Sequence, residues 1–224
     1  MKIALVGYGK MGRMIESVIT DTDHEIVARI DIRDVISIET LGGADVAIEF
    51  STPGAAMGNL TKLAEVGCDT VCGTTGWYDR LGEASAAFAR TGKGLIYSPN
   101  FSVGVQAFIR IAREASRLLS DQDAYESWAY EIHHSKKLDA PSGTLIKIVE
   151  EMVAAGYNRT IDVSSNRAGS IPGTHEIGFD SSADTITIRH SARSREGFAK
   201  GAVRAAEWIH GKSGTYEFGE ALFG

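Results

Sequence analysis

Residues 2–12 read KIALVGYGKMG, a short apolar run that leads directly into the pattern Gly-x-Gly-x-x-Gly. An apolar strand before this pattern and a helical segment after it are typical of a turn that binds a dinucleotide. Gly7 allows the tight turn, Gly9 lets a pyrophosphate approach the backbone, and Gly12 lets the helix pack closely on the strand. The start of the helix offers N–H groups and a partial positive charge to phosphates. A glycine-rich turn without a ligand is the alternative at this point.

Strand-like and helical segments alternate through residues 1–100. Apolar runs at 2–7, 24–31, 45–51, 69–76 and 94–100 are typical of strands, and the segments at 10–20, 53–67 and 79–92 have helical character. This alternation predicts an α/β fold, a Rossmann-like doubly wound parallel sheet covered on both faces. The piece between Asp31 and Asp45 is too short and too glycine-containing for a good helix, so we expect a loop there.

The pattern changes from about Tyr125. Strand-like segments lie at 125–134, 159–167, 174–181 and 184–193, and one strong helical pattern lies among them at 143–156. These strands around one helix predict a second α+β domain with a largely one-sided sheet. We expect the amphipathic helix at 196–211 to return to the first domain. The predicted dinucleotide-binding domain is therefore 1–102 with 194–224, and 103–193 form the second domain.

Composition and charge argue against several classes of function. The chain has 224 residues and a formal net charge of -6 at pH 7, so no global positive field favours nucleic acid or an acidic membrane as partner. No apolar run approaches the roughly 20 residues of a membrane-spanning helix. Cys68 and Cys72 lack the Cys-x-x-Cys spacing and a second ligand pair, so we interpret them as small apolar side chains beside a buried strand. We expect a cytoplasmic protein without a metal site.

The choice of cofactor depends on the residues that follow the second strand. Asp31 stands there, and a carboxylate in that place accepts both ribose hydroxyls, which favours NADH. Arg33 is placed to pair with a 2′-phosphate, which favours NADPH, so either cofactor or both remain open. The loops CGTTGW (72–77) and YSPNFSVG (97–104) follow the fourth and fifth strands, at the edge that carries the ligand in such sheets. The candidate cofactor-binding residues are Gly7, Tyr8, Gly9, Lys10, Met11, Gly12, Asp31, Arg33, Gly73, Thr74, Thr75, Ser98, Pro99, Asn100 and Phe101.

A second candidate site lies in YEIHHSKKLDAPSGT, residues 130–144. His133 and Lys137 are four residues apart, so both reach one space in a loop or a single helical turn. A hydride delivered to an unsaturated carbon leaves negative charge that a proton must quench. Imidazole titrates near neutral pH, so His133 is the candidate acid, with Lys137 as its electrostatic or proton-donating partner.

The end of the same segment is typical of a helix start. Ser142 is a good N-cap, and Gly143 and Thr144 then place N–H groups in the first turn, where carboxylates bind. Capping alone does not explain the histidines and lysines that precede it. Together they predict a cationic pocket for a small dianionic substrate.

The segment EIHHSKKLDAPSGT (131–144) resembles the signature of the dihydrodipicolinate reductase family, roughly His-His-x-x-Lys-x-Asp-Ala-Pro-Ser-Gly-Thr, at every position. The resemblance extends through VGYGKMGRM (6–14), CGTTGW (72–77), SPNFSVGV (98–105), RAGSIPGTHEIGF (167–179) and IRHSARSREGFAKGAVRAAEW (188–208). It implies an oxidoreductase that uses NADH or NADPH to reduce 4-hydroxy-tetrahydrodipicolinate, a dicarboxylate, to tetrahydrodipicolinate with loss of water. The reaction belongs to diaminopimelate and lysine biosynthesis.

The resemblance also implies roles for single residues. His133 matches a proton donor or acceptor and Lys137 a proton donor. The implied substrate-binding residues are His134, Ser142, Gly143 and Thr144. A homotetramer built on the second sheet is implied too, which makes 103–193 a substrate-binding and tetramerisation domain. The chain is shorter than typical members and its connection after Asp31 is trimmed, which leaves the choice between NADH and NADPH open.

Two other functions compete with this interpretation. Another Rossmann oxidoreductase, such as an amino-acid or sugar dehydrogenase, would share the glycine pattern but has no reason to carry the whole loop at 133–144. A nucleotide-sensing regulatory protein would bind the cofactor without turnover and needs neither His133 nor Lys137. We interpret His175 and His190, later in the chain, as anchors of strand ends.

Overall fold

The computed structural model describes residues 1–224, which divide into two units, Met1–Val103 with Glu196–Gly224, and Gly104–Arg195. The strands are β1 (Lys2–Val6), β2 (Glu25–Ile30), β3 (Val46–Glu49), β4 (Asp69–Cys72), β5 (Gly94–Tyr97), β6 (Glu126–His133), β7 (Ile161–Arg167), β8 (Thr174–Asp180), β9 (Thr185–Ser191) and β10 (Gly214–Glu217). The α-helices are α1 (Lys10–Ile19), α2 (Pro53–Glu65), α3 (Leu81–Thr91), α4 (Val103–Leu119), α5 (Gly143–Ala154), α6 (Glu196–Ile209) and α7 (Phe218–Phe223). A 3₁₀ turn at Tyr78–Arg80 precedes α3.

The sheet of the first unit is parallel and has the strand order β10-β5-β4-β3-β1-β2. Its central strands β3 and β4 are buried along their whole length, because helices cover both faces of the sheet. One face packs on Leu60 of α2 and Phe88 of α3, and the other on Ile15 of α1 and Ala202 of α6. The predicted Rossmann-like parallel sheet is confirmed.

The structure describes both connections singled out in the sequence. The chain between β2 and β3 forms turns and contains no helix. The last long helix, α6, belongs to the first unit, where a Cβ atom on Gly201 would overlap the carbonyl group of Phe101. Glycine at this position therefore lets α6 pack directly against the backbone of the segment that follows β5.

The sheet of the second unit is mixed, with the order β7-β6-β8-β9. Strand β6 runs parallel to β7 and antiparallel to β8, which is antiparallel to β9. Alternate residues of β6, from Ser127 to His133, are buried on one face. On that face Ala129 packs in a core with Phe108 of α4 and Ile148 of α5. This is the predicted α+β arrangement, with helices on one side of the sheet.

Three elements lie outside the sequence predictions. Helix α4 is the longest in the chain, and β10 adds a sixth strand at the edge of the first sheet, next to β5. The short helix α7 follows β10 directly and buries Phe218. None of the helices combines the length and the apolar character that crossing a membrane requires.

Candidate active site

The turn between β1 and α1 has the backbone that its glycines predict. Gly7 has φ +90°, in the left-handed region, and a Cβ atom there would overlap the carbonyl of Phe50. A Cβ atom on Gly12 would collide with the carbonyl oxygen of Gly7, so the start of α1 packs against the turn itself. Gly9 is the N-cap residue of α1, and no atom lies within 4 Å of where its Cβ would be. The tight turn at Gly7 is confirmed, Gly12 allows packing against the turn instead of the strand, and the approach of a pyrophosphate at Gly9 stays a prediction.

The N-terminus of α1 is suited to an anion. No side chain caps it, and its first turn contains no acidic residue. Lys10 is exposed there, and Met11 is half-buried beside the core of the first unit. Free backbone N–H groups and the helix dipole favour a phosphate in this place, so the residues present fit the phosphates of a dinucleotide.

Next to this turn, Tyr8 joins a cluster of charged side chains. Its hydroxyl donates to the carboxylate of Glu16, which also accepts from the guanidinium of Arg29. The guanidinium groups of Arg13 and Arg29 lie 5.7 and 5.9 Å from the centre of the Tyr8 ring. The hydrogen bond from Arg29 lowers the pKa of Glu16, so Arg29 and Glu16 neutralise each other on the surface of α1 and β2.

Asp31 and Arg33 lie just past β2, both exposed. Asp31 Oδ1 accepts from the backbone N–H of Ile32 at 2.8 Å, and the N–H of Asp31 donates to Asp34 at 2.8 Å. The carboxylate therefore stands at the end of the second strand, where a ribose-binding acid is expected, and its contact with ribose stays a prediction.

The loops after β4 and β5 are held by hydrogen bonds to neighbouring segments and within the loop after β5. Thr74 Oγ1 accepts from the N–H of Ser51 at 2.8 Å, and the Ser98 hydroxyl donates to Glu217 at 3.0 Å. Asn100 Oδ1 accepts from the N–H of Ser102 at 2.9 Å. Of the remaining candidates Thr75 and Pro99 are exposed, and Gly73 sits so close to the ring of Phe50 that a Cβ atom would overlap it.

Phe101 differs from the other candidate cofactor residues. Its ring is 1% exposed and packs against Phe218, with 4.8 Å between ring centres. The side chain thus belongs to the core of the first unit.

The two cysteines are buried and free. Burial raises the pKa of Cys68 to about 12 and raises that of Cys72 as well. Neither thiol is therefore ionised at neutral pH, which agrees with their interpretation as small apolar side chains. Cys72 Sγ lies 3.3 Å from the buried carboxylate of Glu49.

The second candidate site is built on the end of β6. His133 is the last residue of that strand and His134 follows it, as predicted. His133 is 7% exposed, and its Nδ1 lies 3.4 Å from Glu131 Oε2. Its ring centre lies 5.1 Å from that of His175, at a steep angle, and a Cβ atom on Gly173 would come within 2.9 Å of Nε2. The imidazole is therefore confined on three sides.

Glu131 is the centre of this site, and it is not among the residues predicted from the sequence. Its Oε1 accepts from Ser142 N at 2.9 Å, Ser165 Oγ at 3.1 Å and Arg167 Nη2 at 2.7 Å. Its Oε2 accepts from the Ser142 hydroxyl and lies 3.4 Å from His175 Nε2. Burial alone would raise the pKa of Glu131, but the hydrogen bonds from Ser142 and Arg167 outweigh it and lower the pKa to about 2. The carboxylate is charged at every pH at which the protein would be assayed.

Strand register explains why these residues meet. In the β6–β7 pair Glu131 stands opposite Ser165 and His133 opposite Arg167. In the β6–β8 pair Glu131 stands opposite His175. Side chains opposite one another on neighbouring strands share a face, so all five lie on one face of the sheet.

Ser142 is confirmed as the N-cap of α5. Its hydroxyl oxygen accepts from Leu145 N at 3.2 Å while the same hydroxyl donates to Glu131. The side chain is 2% exposed, so its hydroxyl is committed to these two partners and to His175 Nε2, 3.4 Å away. Gly143 is exposed and Thr144 is half-buried in the first turn. The backbone of that turn, rather than the Ser142 hydroxyl, is the part of this helix end that faces outward.

Lys137 lies in the turn after β6. Its backbone N–H donates to the carbonyl of His134 at 3.1 Å, and its ammonium donates to Asp139 Oδ1 at 2.8 Å. Burial lowers the pKa of His133, and the positive charges of Lys137 and Arg167 lower it further. The carboxylate of Glu131 acts in the opposite direction and raises it. The structure thus places Lys137 within electrostatic reach of His133.

Glu131, His133 and His175 each offer one possible metal-ligand atom, and these atoms lie within 4.8 Å of one another. The carboxylate, however, already accepts from Ser142, Ser165 and Arg167. A metal ion would therefore enter beside a guanidinium and displace existing hydrogen bonds. The arrangement favours holding a proton over holding a metal.

The sequence predicts only a strand anchor at His175, but its ring also contacts Glu131 and Ser142 in this site. Burial is the main cause that lowers its pKa to about 4, and the nearby His133 lowers it further. His175 is therefore a neutral ring at neutral pH and lies 3.4 Å from the hydroxyl of Ser142. His190 stands opposite His175 on β9, where burial lowers its pKa as well.

Family models match nearly the whole chain. Residues 1–101 match the N-terminal domain of dihydrodipicolinate reductase, and residues 104–222 match its C-terminal domain. The chain is 37% identical to the 4-hydroxy-tetrahydrodipicolinate reductase of Christiangramia forsetii, covering 99% of this chain and 98% of that protein. It is 35% identical to the enzyme of the same name from Methanosarcina barkeri, covering 99% of each; that alignment spans 263 positions.

Solved structures show the same fold. A dipicolinate-bound dihydrodipicolinate reductase from Paenisporosarcina sp. TG-14 superposes with a TM-score of 0.83 at 21% identity, over 98% of each chain. An amine dehydrogenase from Mycobacterium smegmatis superposes with a TM-score of 0.67 at 10% identity, over 99% of this chain and 95% of that one. The architecture is thus shared with proteins of quite different sequence.

Proposed function

The chain belongs to the dihydrodipicolinate reductase family, and we propose that it reduces 4-hydroxy-tetrahydrodipicolinate to tetrahydrodipicolinate with loss of water. It is an oxidoreductase of diaminopimelate and lysine biosynthesis that uses NADH or NADPH. The observation that carries the proposal is the buried cluster at the end of β6, where His133 lies 3.4 Å from the ionised Glu131 beside the N-terminus of α5. A protein that only senses a nucleotide has no use for such a cluster.

We assign the nucleotide to the turn at Gly7–Gly12 and to the loops after β4 and β5. The fit rests on the open space at Gly9 and the uncapped N-terminus of α1. When bound, the nicotinamide supplies the hydride. Asp31 and Arg33 both follow β2, so both NADH and NADPH remain candidates for the adenosine side.

We assign to His133 and Lys137 the supply of the proton that completes the reduction. Loss of water from the substrate leaves an unsaturated ring; a hydride then adds to one carbon and one proton balances the charge. His133 is confined by Glu131, His175 and Gly173, which fixes the direction of its ring. In this assignment the ammonium of Lys137 leaves Asp139 and stabilises the developing negative charge.

We assign the substrate carboxylates to His134 and to the first turn of α5. Gly143 and Thr144 place backbone N–H groups at a helix N-terminus, where the dipole favours an anion. The dipicolinate bound to the Paenisporosarcina reductase is likewise a dicarboxylate. Residues 103–193 would thus form the substrate-binding domain.

We also propose that the enzyme acts in the cytoplasm as a homotetramer. The family resemblance supports both, and the second sheet would provide the tetramer interface. The helices α4 and α5 cover one face of this sheet, so the opposite face is the one we assign to other subunits. Sedimentation at several protein concentrations tests this assignment, since a monomer at all of them would contradict it.

A steady-state assay tests the proposed reaction. Substrate is generated by the preceding synthase, and consumption of NADH or NADPH is followed by its near-ultraviolet absorbance. Oxidation of either cofactor only when substrate is present supports the reductase, and the ratio of the two rates gives the cofactor preference. Folded protein that binds cofactor but oxidises neither would favour a nucleotide sensor instead.

A further inference from the structure

Glu131 connects two parts of the site that have different tasks. One carboxylate oxygen, Oε1, accepts from the backbone N–H of Ser142, which caps α5, and from Arg167 on β7. The other, Oε2, accepts from the Ser142 hydroxyl and faces the rings of His133 and His175 at 3.4 Å each. The side chain is fully buried, so bulk solvent does not screen these contacts.

A purely structural carboxylate would not need this arrangement. Capping of α5 is already provided by the Ser142 hydroxyl, which accepts from Leu145 N. A buried charge is also costly unless it is paired, and an apolar residue would continue the core that Ala129 begins on the same face. His133 Nδ1 is buried, makes no hydrogen bond and lies 3.4 Å from Glu131 Oε2.

We propose that Glu131 is a positioning residue for the reaction: it fixes the orientation of the His133 ring, with Nδ1 turned inward, and ties that ring to the anion-binding end of α5. The proposal rests on the proposed function for the identity of the reaction. It assigns no contact between Glu131 and the substrate. Through this residue the proton carrier and the carboxylate-binding turn are held as one unit.

The strands around Glu131 and the turn after β6 contribute charged or titratable groups to this unit. His133 comes from β6, Arg167 from β7 and His175 from β8. The turn after β6 adds Lys137 and Asp139, and His190 on β9 stands behind His175. Without the charge of Glu131, His133 would face Arg167 and Lys137 with only the more distant Asp139 as counter-charge. The protonated ring would then be disfavoured.

Glu131→Gln tests the proposal, with Glu126→Gln as its matched control. Glutamine keeps the size and an acceptor oxygen but removes the charge, and Glu126 is the exposed first residue of the same strand. We expect kcat/KM at neutral pH to fall by about 10- to 100-fold in Glu131→Gln, the scale on which loss of a group that orients a histidine lowers activity. We also expect kcat/KM of the variant to decline at a lower pH than that of the wild-type protein. Acidification should therefore restore part of its activity. The control should match the wild-type protein.

A loss of activity with an unmoved pH profile would reduce Glu131 to a structural residue and overturn the proposal. If Glu131→Gln does not fold, nitrogen NMR of the wild-type protein still tests the proposal, because it shows which ring nitrogen of His133 carries the proton. The proposal expects neutral His133 to carry its proton on Nδ1, facing Glu131, whereas imidazole in water prefers Nε2. A proton on Nε2 overturns it. This measurement needs no substrate, so it stands even if the protein proves not to turn over the proposed one.

Discussion

The candidate sites of the two units are formed by different kinds of chemical group. In the first unit the position expected for a phosphate is surrounded by backbone, namely the glycine turn at 7–12 and the uncapped start of α1. In the second unit the expected proton carrier, His133, is surrounded by ionisable side chains gathered around Glu131. Backbone groups do not titrate, so phosphate binding at the glycine turn should depend little on pH. The second site should respond to pH and to every change of charge.

The largest effect that we predict is on the side-chain site. His133→Ala and Lys137→Ala should each lower turnover by about 10²- to 10⁴-fold, because each removes a proton carrier, while cofactor binding changes little. Steady-state kinetics and cofactor titration measure the two quantities. Lys136→Ala is the matched control, since Lys136 is the exposed neighbour in the same turn. A Lys137→Ala variant as active as Lys136→Ala would remove Lys137 from the chemistry.

The next effect concerns the backbone site. Gly7→Ala places a Cβ atom at φ +90° and against the carbonyl of Phe50, so it should reduce the free energy of unfolding by about 1–3 kcal/mol or more. Gly9→Ala meets no atom of other segments within 4 Å, so it should cost less stability than Gly7→Ala, through the poorer N-cap, and should mainly weaken cofactor binding. Denaturant unfolding and cofactor titration of both variants separate the two roles. A Gly9→Ala variant that binds cofactor normally would mean that the pyrophosphate lies elsewhere.

A third effect is the dependence of stability on pH. The pKa of His175 is lowered to about 4 from an ordinary 6.5, so the unfolded chain binds a proton more readily than the folded one. Stability from this group is complete above pH 6.5 and is lost as the pH falls towards 4. Between pH 7 and pH 5 the loss is about 2 kcal/mol. Denaturant unfolding at the two pH values measures it, and His175→Gln should reduce the difference, leaving the part due to His133 and His190. An equally steep dependence in that variant would assign it to other groups.

The smallest effect concerns the adenosine side of the cofactor. Asp31→Ala removes a hydrogen-bond acceptor for ribose, so it should weaken the binding of NADH by about 1 kcal/mol. The binding of NADPH should weaken less, because its 2′-phosphate is repelled by the carboxylate that the substitution removes. Dissociation constants of both cofactors measure this. Equal losses for the two would take Asp31 out of the ribose site.

Much of the first unit could be predicted because its signals are local. The glycine turn, the apolar runs and the loop between β2 and β3 are all visible in short windows of sequence. Strand β10 is not, because it has four half-buried residues at a sheet edge and no alternation of apolar and polar side chains. Helix α4 did carry a signal: Val105, Phe108 and Ala112 recur at helical spacing and are buried.

The second site was predictable only in part. His133, Lys137 and the cap at Ser142 lie within one segment, so their spacing alone brings them together. Glu131 is two residues before His133, but its importance depends on Arg167 and His175, more than thirty residues further along the chain. These meet it through the parallel register with β7 and the antiparallel register with β8. A single sequence does not specify strand register, so a glutamate in an alternating strand gives no sign of such partners.

The order of strands in the first sheet has a consequence for how the protein is made. A ribosome delivers every strand of the second unit before it reaches residues 214–217, which form β10 beside β5. Until then the edge of β5 is unpaired, and the sheet lacks α6 over one face. Newly synthesised chains therefore expose an unprotected strand edge while the inserted unit is already complete. Stalling translation before α6 should yield a nascent chain that depends on chaperones.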